Sequence, residues 1–267
     1  MNGFSSEKFI LPTRGRWKEM YLDTKAWSEL ATGNRSPAKL DQWLVRNAGF
    51  LSIAPHAAVE LCRKPNLAEQ LVDFMAPRKT ILLTHGKDEI TGKKIFWANW
   101  FDLWYPVDFR DEVARKAFIE EMQEGSIHDA DHTAKEYSTW MKIWLHESLQ
   151  KAPLPDKNPW ENFDSLLEQW IAARASDTGY SFVPEGLSDP DCYRGEKLQF
   201  GYIFERFYIS QKNWSDSDIA DLLHCREISY ADAVVTEESL AHCIREVQQQ
   251  VPGLGPREVY DLSWLNG

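Results

Sequence analysis

The sequence predicts an α/β fold: a parallel sheet covered by helices and interrupted by a long, mainly helical insertion. Two observations predict it. Residues 1–84 and 214–267 alternate short apolar runs with stretches of helical periodicity, the pattern of βαβ units. Residues 85–213 lack that alternation and repeat tryptophan at helical spacing. The expected organisation is therefore one sheet-forming domain from 1–84 and 214–267, with a Trp-rich helical insertion at 85–213.

The elements follow in chain order. Residues 18–22 form a short strand candidate. A helix is expected over 24–30, capped by Thr24 and ended by Gly33-Asn34. Ser36-Pro37 opens the next helix, because serine is a good N-cap and proline suits the first helical position. Leu40, Trp43, Leu44 and Ala48 give it an apolar face, and Gly49 stops it. Residues 50–53 resemble a buried strand; helices starting at Pro55 and Leu67 follow. In the middle third, Trp97, Trp100, Phe101 and Trp104 repeat, 113–122 is amphipathic, and Trp140 and Trp144 lie one turn apart. A helix over 162–175 follows a proline-broken linker, and 176–195 reads as a loop rich in Gly, Pro, Asp and Ser. An apolar, aromatic helix over 198–210 leads back to the sheet. The end reads as helix 216–226, strand 233–235, helix 238–248 and an edge strand at 258–262.

Composition limits the function. Forty-three per cent of the 267 residues are hydrophobic, enough for a sizeable core. The formal net charge of -11 argues against broad electrostatic binding to nucleic acid, which needs a basic face. No apolar run is long enough to predict a membrane span, and MNGFSSEKF has no apolar signal core. Cys62, Cys192, Cys225 and Cys243 are scattered without a CxxC pair, as for thiols of a reducing compartment. A cytoplasmic location is the expectation.

The chemistry-bearing candidates are acids, each with an ordinary structural role as its alternative. Asp23 ends the first apolar run, where ligands of open parallel sheets bind; taken alone, it is more often a cap for the next helix. Glu60 sits among Ala57, Ala58, Val59, Leu61 and Cys62, unusual for a carboxylate unless paired or bound to metal; its alternative is the solvent face. Asp218 and Asp221 share a helix face and repel unless a cation lies near, although acids also favour the first turn. Glu237 and Glu238 follow the last buried strand as Asp23 follows the first, or cap the helix after it. Asp232 lies at the opposite end of the sheet and takes a structural role. His224, one turn after Asp221, reads as a satisfied core residue rather than a ligand. A competing cluster, His128, Asp129, Asp131 and His132, lacks a further histidine at zinc spacing. The tryptophans can stack on bases, but at helical spacing they more often form a core or an oligomer interface.

The order of these acids is more telling than any one of them. Tyr21-Leu22-Asp23-Thr24, Glu60 after the second strand, Asp218-Ile219-Ala220-Asp221, and Val234-Val235-Thr236-Glu237-Glu238 together resemble the PIN-domain ribonuclease superfamily. The likeness covers about 17–80 and 214–262; the insertion lies outside it. It implies a PIN-like doubly wound parallel sheet, Mg²⁺ or Mn²⁺, and hydrolysis of phosphodiester bonds, most often in RNA with single-stranded DNA as a further substrate, as in a toxin or defence effector. By the same resemblance, Asp23, Glu60, Asp218, Glu237 and Glu238 correspond to metal-binding acids, with Asp221 as an extra or substitute catalytic acid. Glutamate departs from the usual aspartate at the last position. Arg14, Arg16, Lys18, Lys87, Lys93 and Lys94 are candidates for contacts with a phosphate backbone. The alternative is a catalytically silent PIN-like scaffold whose insertion binds a protein partner or a second copy of the chain. A third, metal-hydrolase reading rests on His128, Asp129 and His132.

Overall fold

Each of Glu19–Leu22 (β1), Phe50–Ile53 (β2) and Ala233–Thr236 (β4) is buried along its whole length. Strands buried on both faces need helices on both sides, and that is the arrangement of a covered parallel sheet. The computed structural model describes residues 18–82, 109–124, 139, 158–178, 187, 193–215 and 217–266. Thr80–Leu82 (β3) and Glu258–Asp261 (β5) complete a five-stranded sheet in the order β3-β2-β1-β4-β5, with every neighbouring pair parallel. The order turns around at β1: β2 and β3 extend to one side of it and β4 and β5 to the other. The expected α/β class and edge strand are thus present; β3 is an additional strand, too short to show alternation.

Local chemistry explains the connections. Helix α1 (Thr24–Ala31) is capped by Asp23, not by Thr24 as expected, because the Ala26 amide donates to Asp23 Oδ1 at 2.7 Å. Helix α2 (Ala38–Arg46) begins just after Ser36, whose hydroxyl accepts from the Ala38 amide. Two residues past its end, Ala48 turns the chain away with φ 47°. Gly49, the expected stop, donates its amide to the Leu44 carbonyl at 2.7 Å and closes the helix end; a Cβ there would also lie 2.7 Å from the Trp43 ring and 3.1 Å from the Lys18 carbonyl. Helices α3 (Pro55–Cys62) and α4 (Pro65–Met75) both start on proline, whose missing N–H costs nothing in a first turn.

The described parts of the middle third are helical and share the core. Helix α5 (Glu112–Glu124) packs on α3 and α4, and the Gln123 side chain donates to the Cys62 carbonyl. Helix α6 (Phe163–Thr178) brings Phe163, Leu167 and the fully buried Trp170 against Phe200 and Phe204. Phe200 belongs to α7 (Arg194–Ile203), which continues into a π-helical turn, Phe204–Ile209. The tryptophans at 97, 100, 104, 140 and 144 lie outside the described residues.

Helix α7 packs on α8 (Ser217–Ile228) and α9 (Glu238–Gln250). Gly201 permits the close approach to α9: a Cβ there would sit 2.6 Å from Val247 Cγ1. Gly201→Ala is expected to lower stability by about 1 kcal/mol, the low end of overpacking costs because the obstacle is a side-chain methyl rather than backbone. Urea unfolding of the variant checks this, and an unchanged midpoint would contradict it.

Candidate functional site

The turn-around at β1 sets where a site can form, because chain segments diverge there and leave a crevice at the carboxyl ends of the strands. Asp23 stands at that edge. It is only 4% exposed, and both oxygens are engaged. Oδ1 accepts from Ala26; Oδ2 accepts from the Thr236 hydroxyl at 2.5 Å and from the Glu237 amide at 2.9 Å. These bonds join the end of β1 to the end of β4, which are paired neighbours in the sheet. Burial pushes the Asp23 carboxyl up from its ordinary value, against the pull of its hydrogen bonds from Thr236, Ala26, Glu237 and Lys25.

Asp218 and Asp221 share α8 but not an environment. Asp218 is fully buried and accepts from the Ser215 amide at 2.6 Å, the Ser215 hydroxyl at 2.5 Å and the Tyr202 hydroxyl at 2.9 Å. The Arg206 Nε lies 2.5 Å from Asp218 Oδ1, an ion pair set off the usual hydrogen-bond alignment. Asp218 thus closes the start of α8 and is neutralised by arginine. Asp221 is half-buried, and its Oδ2 lies 3.0 Å from the Tyr202 hydroxyl, whose single proton it shares with Asp218. Burial first, then the charges of Asp218 and Glu237, push its carboxyl up to about 6, against Tyr202 and Arg206.

Glu237 and Glu238 are exposed at the start of α9, with the Glu237 main chain fixed by Asp23. Glu60 is exposed on α3, and no hydrogen bond or ion pair ties it to the other acids among the described residues. The Asp23 and Glu237 positions therefore meet, and Asp221 feels the Glu237 charge. Asp218 is turned into the α7–α8 contact, and Glu60 stands on the solvent face. Asp232, as expected, lies at the other end of β4, where its carboxylate accepts from the Glu19 amide at 3.0 Å. His128, Asp129, Asp131 and His132 lie outside the described residues, as do Arg14, Arg16, Lys87, Lys93 and Lys94.

A second polar group lies on one face of the sheet. Tyr21, in the middle of β1, is fully buried and donates to Glu227 Oε2 at 2.7 Å. Its oxygen also lies 2.6 Å from His224 Nδ1, while His224 Nε2 faces the Thr24 hydroxyl at 3.4 Å. His56, in the first turn of α3, closes the group: its Nε2 is 3.2 Å from His224 Nδ1 and its Nδ1 is 3.6 Å from Glu227 Oε1. Burial lowers the His224 imidazole to about 4 and raises the Glu227 carboxyl to about 8. The His56–Glu227 distance is within ion-pair reach but longer than a hydrogen bond.

Among the described residues, His56, His224 and Glu227 are the group whose ligand atoms all lie within 4.8 Å of one another. None of the acids singled out in the sequence belongs to it. His224 is buried, as a core position would be; His56 and Glu227 went unmarked. The signal open to sequence reading was the i, i+3 pair His224 and Glu227 on a helix beside an inward-facing tyrosine.

Fold and site together define an α/β protein with a five-stranded parallel sheet, acids at the strand reversal and a buried histidine–glutamate–tyrosine group on one sheet face. Compared with family profiles, curated proteins and solved structures, the chain matches none of them. No helix among the described residues is long and apolar enough to cross a membrane.

Proposed function

We propose that this protein is a metal-dependent nuclease that hydrolyses phosphodiester bonds of RNA at the carboxyl edge of its sheet. One observation carries the reading: where the strand order turns around, Asp23 at the end of β1 binds the Glu237 main chain at the β4–α9 junction, and Asp221 of α8 feels the Glu237 charge. Burial, with smaller contributions from the charges of Asp218 and Glu237, raises the Asp221 carboxyl. Mutual repulsion among oxygen donors is what a hard divalent cation relieves, so the donor chemistry fits Mg²⁺ or Mn²⁺. Asp221, Glu237 and Glu238 would hold the ion, with Asp23 as a further ligand through its remaining lone pairs. When bound, the ion supplies a water of lowered pKa and stabilises charge on the phosphate. The chain's own contribution is positional. Asp23 fixes Thr236 and Glu237 against β1, and Tyr202 orients Asp221 from α7. RNA is preferred over DNA on the resemblance alone.

The test is cleavage of single-stranded RNA and DNA with Mn²⁺, comparing wild type with Asp221→Asn and with the Glu237→Gln, Glu238→Gln pair. Loss of at least 100-fold in both variants is expected. A wild type without cleavage, or variants as active as wild type, would reject the proposal.

The engagement of Asp23 and the Arg206-neutralised burial of Asp218 favour a second reading, a catalytically silent scaffold. Calorimetric titration with Mn²⁺ separates the two: the nuclease binds the ion in an Asp221-dependent way, and the scaffold does not.

A further inference from the structure

We infer that His56, His224 and Glu227 form a separate binding site for a divalent transition cation of the zinc class, on the sheet face rather than at the acidic edge. The site does not depend on the nuclease reading. Three observations carry it.

The first is spacing. His56 Nε2 and His224 Nδ1 lie 3.2 Å apart, and one ring nitrogen of each lies within 4.8 Å of a Glu227 carboxylate oxygen. Two imidazole nitrogens bound to one tetrahedral Zn²⁺ at about 2.0–2.1 Å are separated by about 3.3 Å. The pair therefore needs almost no movement to share an ion.

The second is hydrogen-bonding capacity. His224 Nδ1 is approached by two partners, the Tyr21 oxygen at 2.6 Å and His56 Nε2 at 3.2 Å. An imidazole nitrogen offers one lone pair or one N–H, so it cannot serve both well. Tyr21 has a single proton, and Glu227 Oε2 at 2.7 Å takes it. The tyrosine lone pairs then face the histidines. A cation between the two rings resolves the crowding between them: each nitrogen gives its lone pair to the ion, and Tyr21, its proton kept on Glu227, turns an oxygen lone pair towards the same ion. The Tyr21–Glu227 bond is the outer support that carboxylate ligands of metal sites characteristically receive.

The third is placement. Glu227 is 2% exposed and His224 4%, whereas the His56 side chain is 19% exposed and gives the one ligand that solvent reaches. Ser52, the register partner of Tyr21 on β2, adds a buried hydroxyl with no hydrogen-bond partner among the described residues. Three separate elements, α3, α8 and β1, converge on the group, so an ion there would also cross-link them. Two imidazoles and one carboxylate are a borderline donor set, which selects zinc-like ions over Mg²⁺.

The experiment dialyses the purified full chain against Zn²⁺, then against excess Mg²⁺, and counts retained zinc by elemental analysis. One Zn²⁺ per chain is expected in wild type and in Asp221→Asn. His56→Ala, at the partly exposed position, and Glu227→Gln, which keeps its shape, are expected to lose it. Tyr21→Phe is expected to bind about 10-fold more weakly. Circular dichroism confirms that each variant is folded. Wild type retaining no stoichiometric zinc, or folded His56→Ala and Glu227→Gln retaining as much as wild type, would overturn the site. Zinc kept without any RNA cleavage would uphold this site while rejecting the nuclease reading, so the two outcomes stay distinct.

Discussion

Asp23→Ala is expected to lower the unfolding free energy by about 3 kcal/mol. Loss of an N-cap costs about 1 kcal/mol. The larger part comes from donors left behind. The Thr236 hydroxyl is fully buried, and the Glu237 amide is partly so; each donates to Asp23 Oδ2. A buried donor stripped of its acceptor costs about 1–3 kcal/mol. Removing a buried carboxylate also recovers some desolvation, since burial already pushes Asp23 above its ordinary pKa, and this keeps the total from being higher. Urea denaturation followed by tryptophan fluorescence measures the change; a loss below about 0.5 kcal/mol would contradict the argument.

Asparagine is no gentler a replacement. Asp23 accepts on both oxygens, from Ala26 on one and from Thr236 and Glu237 on the other. An amide has one carbonyl, so its NH₂ must face donors on one side. Asp23→Asn is therefore expected to lose stability as well, and any lost cleavage in that variant would mix unfolding with chemistry. Asp221, half-buried with one shared hydrogen bond, is the cleaner probe of the acidic edge.

The sheet was legible where burial on both faces leaves continuous apolar runs, as in Phe50–Ile53 and Ala233–Thr236. β3 was not, because three residues carry no period. The acids at strand ends were legible too, since a carboxylate after an apolar run marks the carboxyl edge whatever the strand order. Their individual fates were not. Asp218 and Asp221 look alike in sequence, and only the packing of the π-helical turn after α7 gives one of them Arg206 and leaves the other half-open. The histidine–glutamate group was hidden for a topological reason. Tyr21 and His224 are 203 residues apart, and His56 and His224 are 168 apart. They meet because β1 lies between β2 and β4, which no local pattern encodes.

That buried group makes stability depend on pH with a definite sign. Folded Glu227 keeps its proton up to about 8, whereas an unfolded glutamate releases it near its ordinary 4.5. Across that window the folded state binds more protons, so this group's contribution is full below about 4.5 and is lost as pH rises towards 8. His224 acts in the opposite sense. Its folded value near 4 against an ordinary 6.5 means that its contribution is lost as pH falls below 6.5. Asp221, raised to about 6, acts only below that value. Between pH 6.5 and 8, Glu227 is thus the member of these three that still titrates differently in the folded chain. The groups facing it are Tyr21, His56, Glu19 and Arg226; Tyr21 and Arg226 hold its carboxyl down, Glu19 lifts it, and burial outweighs them. At about 1.4 kcal/mol per unit of pH, wild type is expected to lose about 2 kcal/mol across this interval relative to Glu227→Gln, whose amide does not titrate. Urea unfolding of both proteins at pH 6.5 and 8, with a chelator present, measures it. Parallel pH profiles for the two proteins would mean that Glu227 is already ionised in the fold.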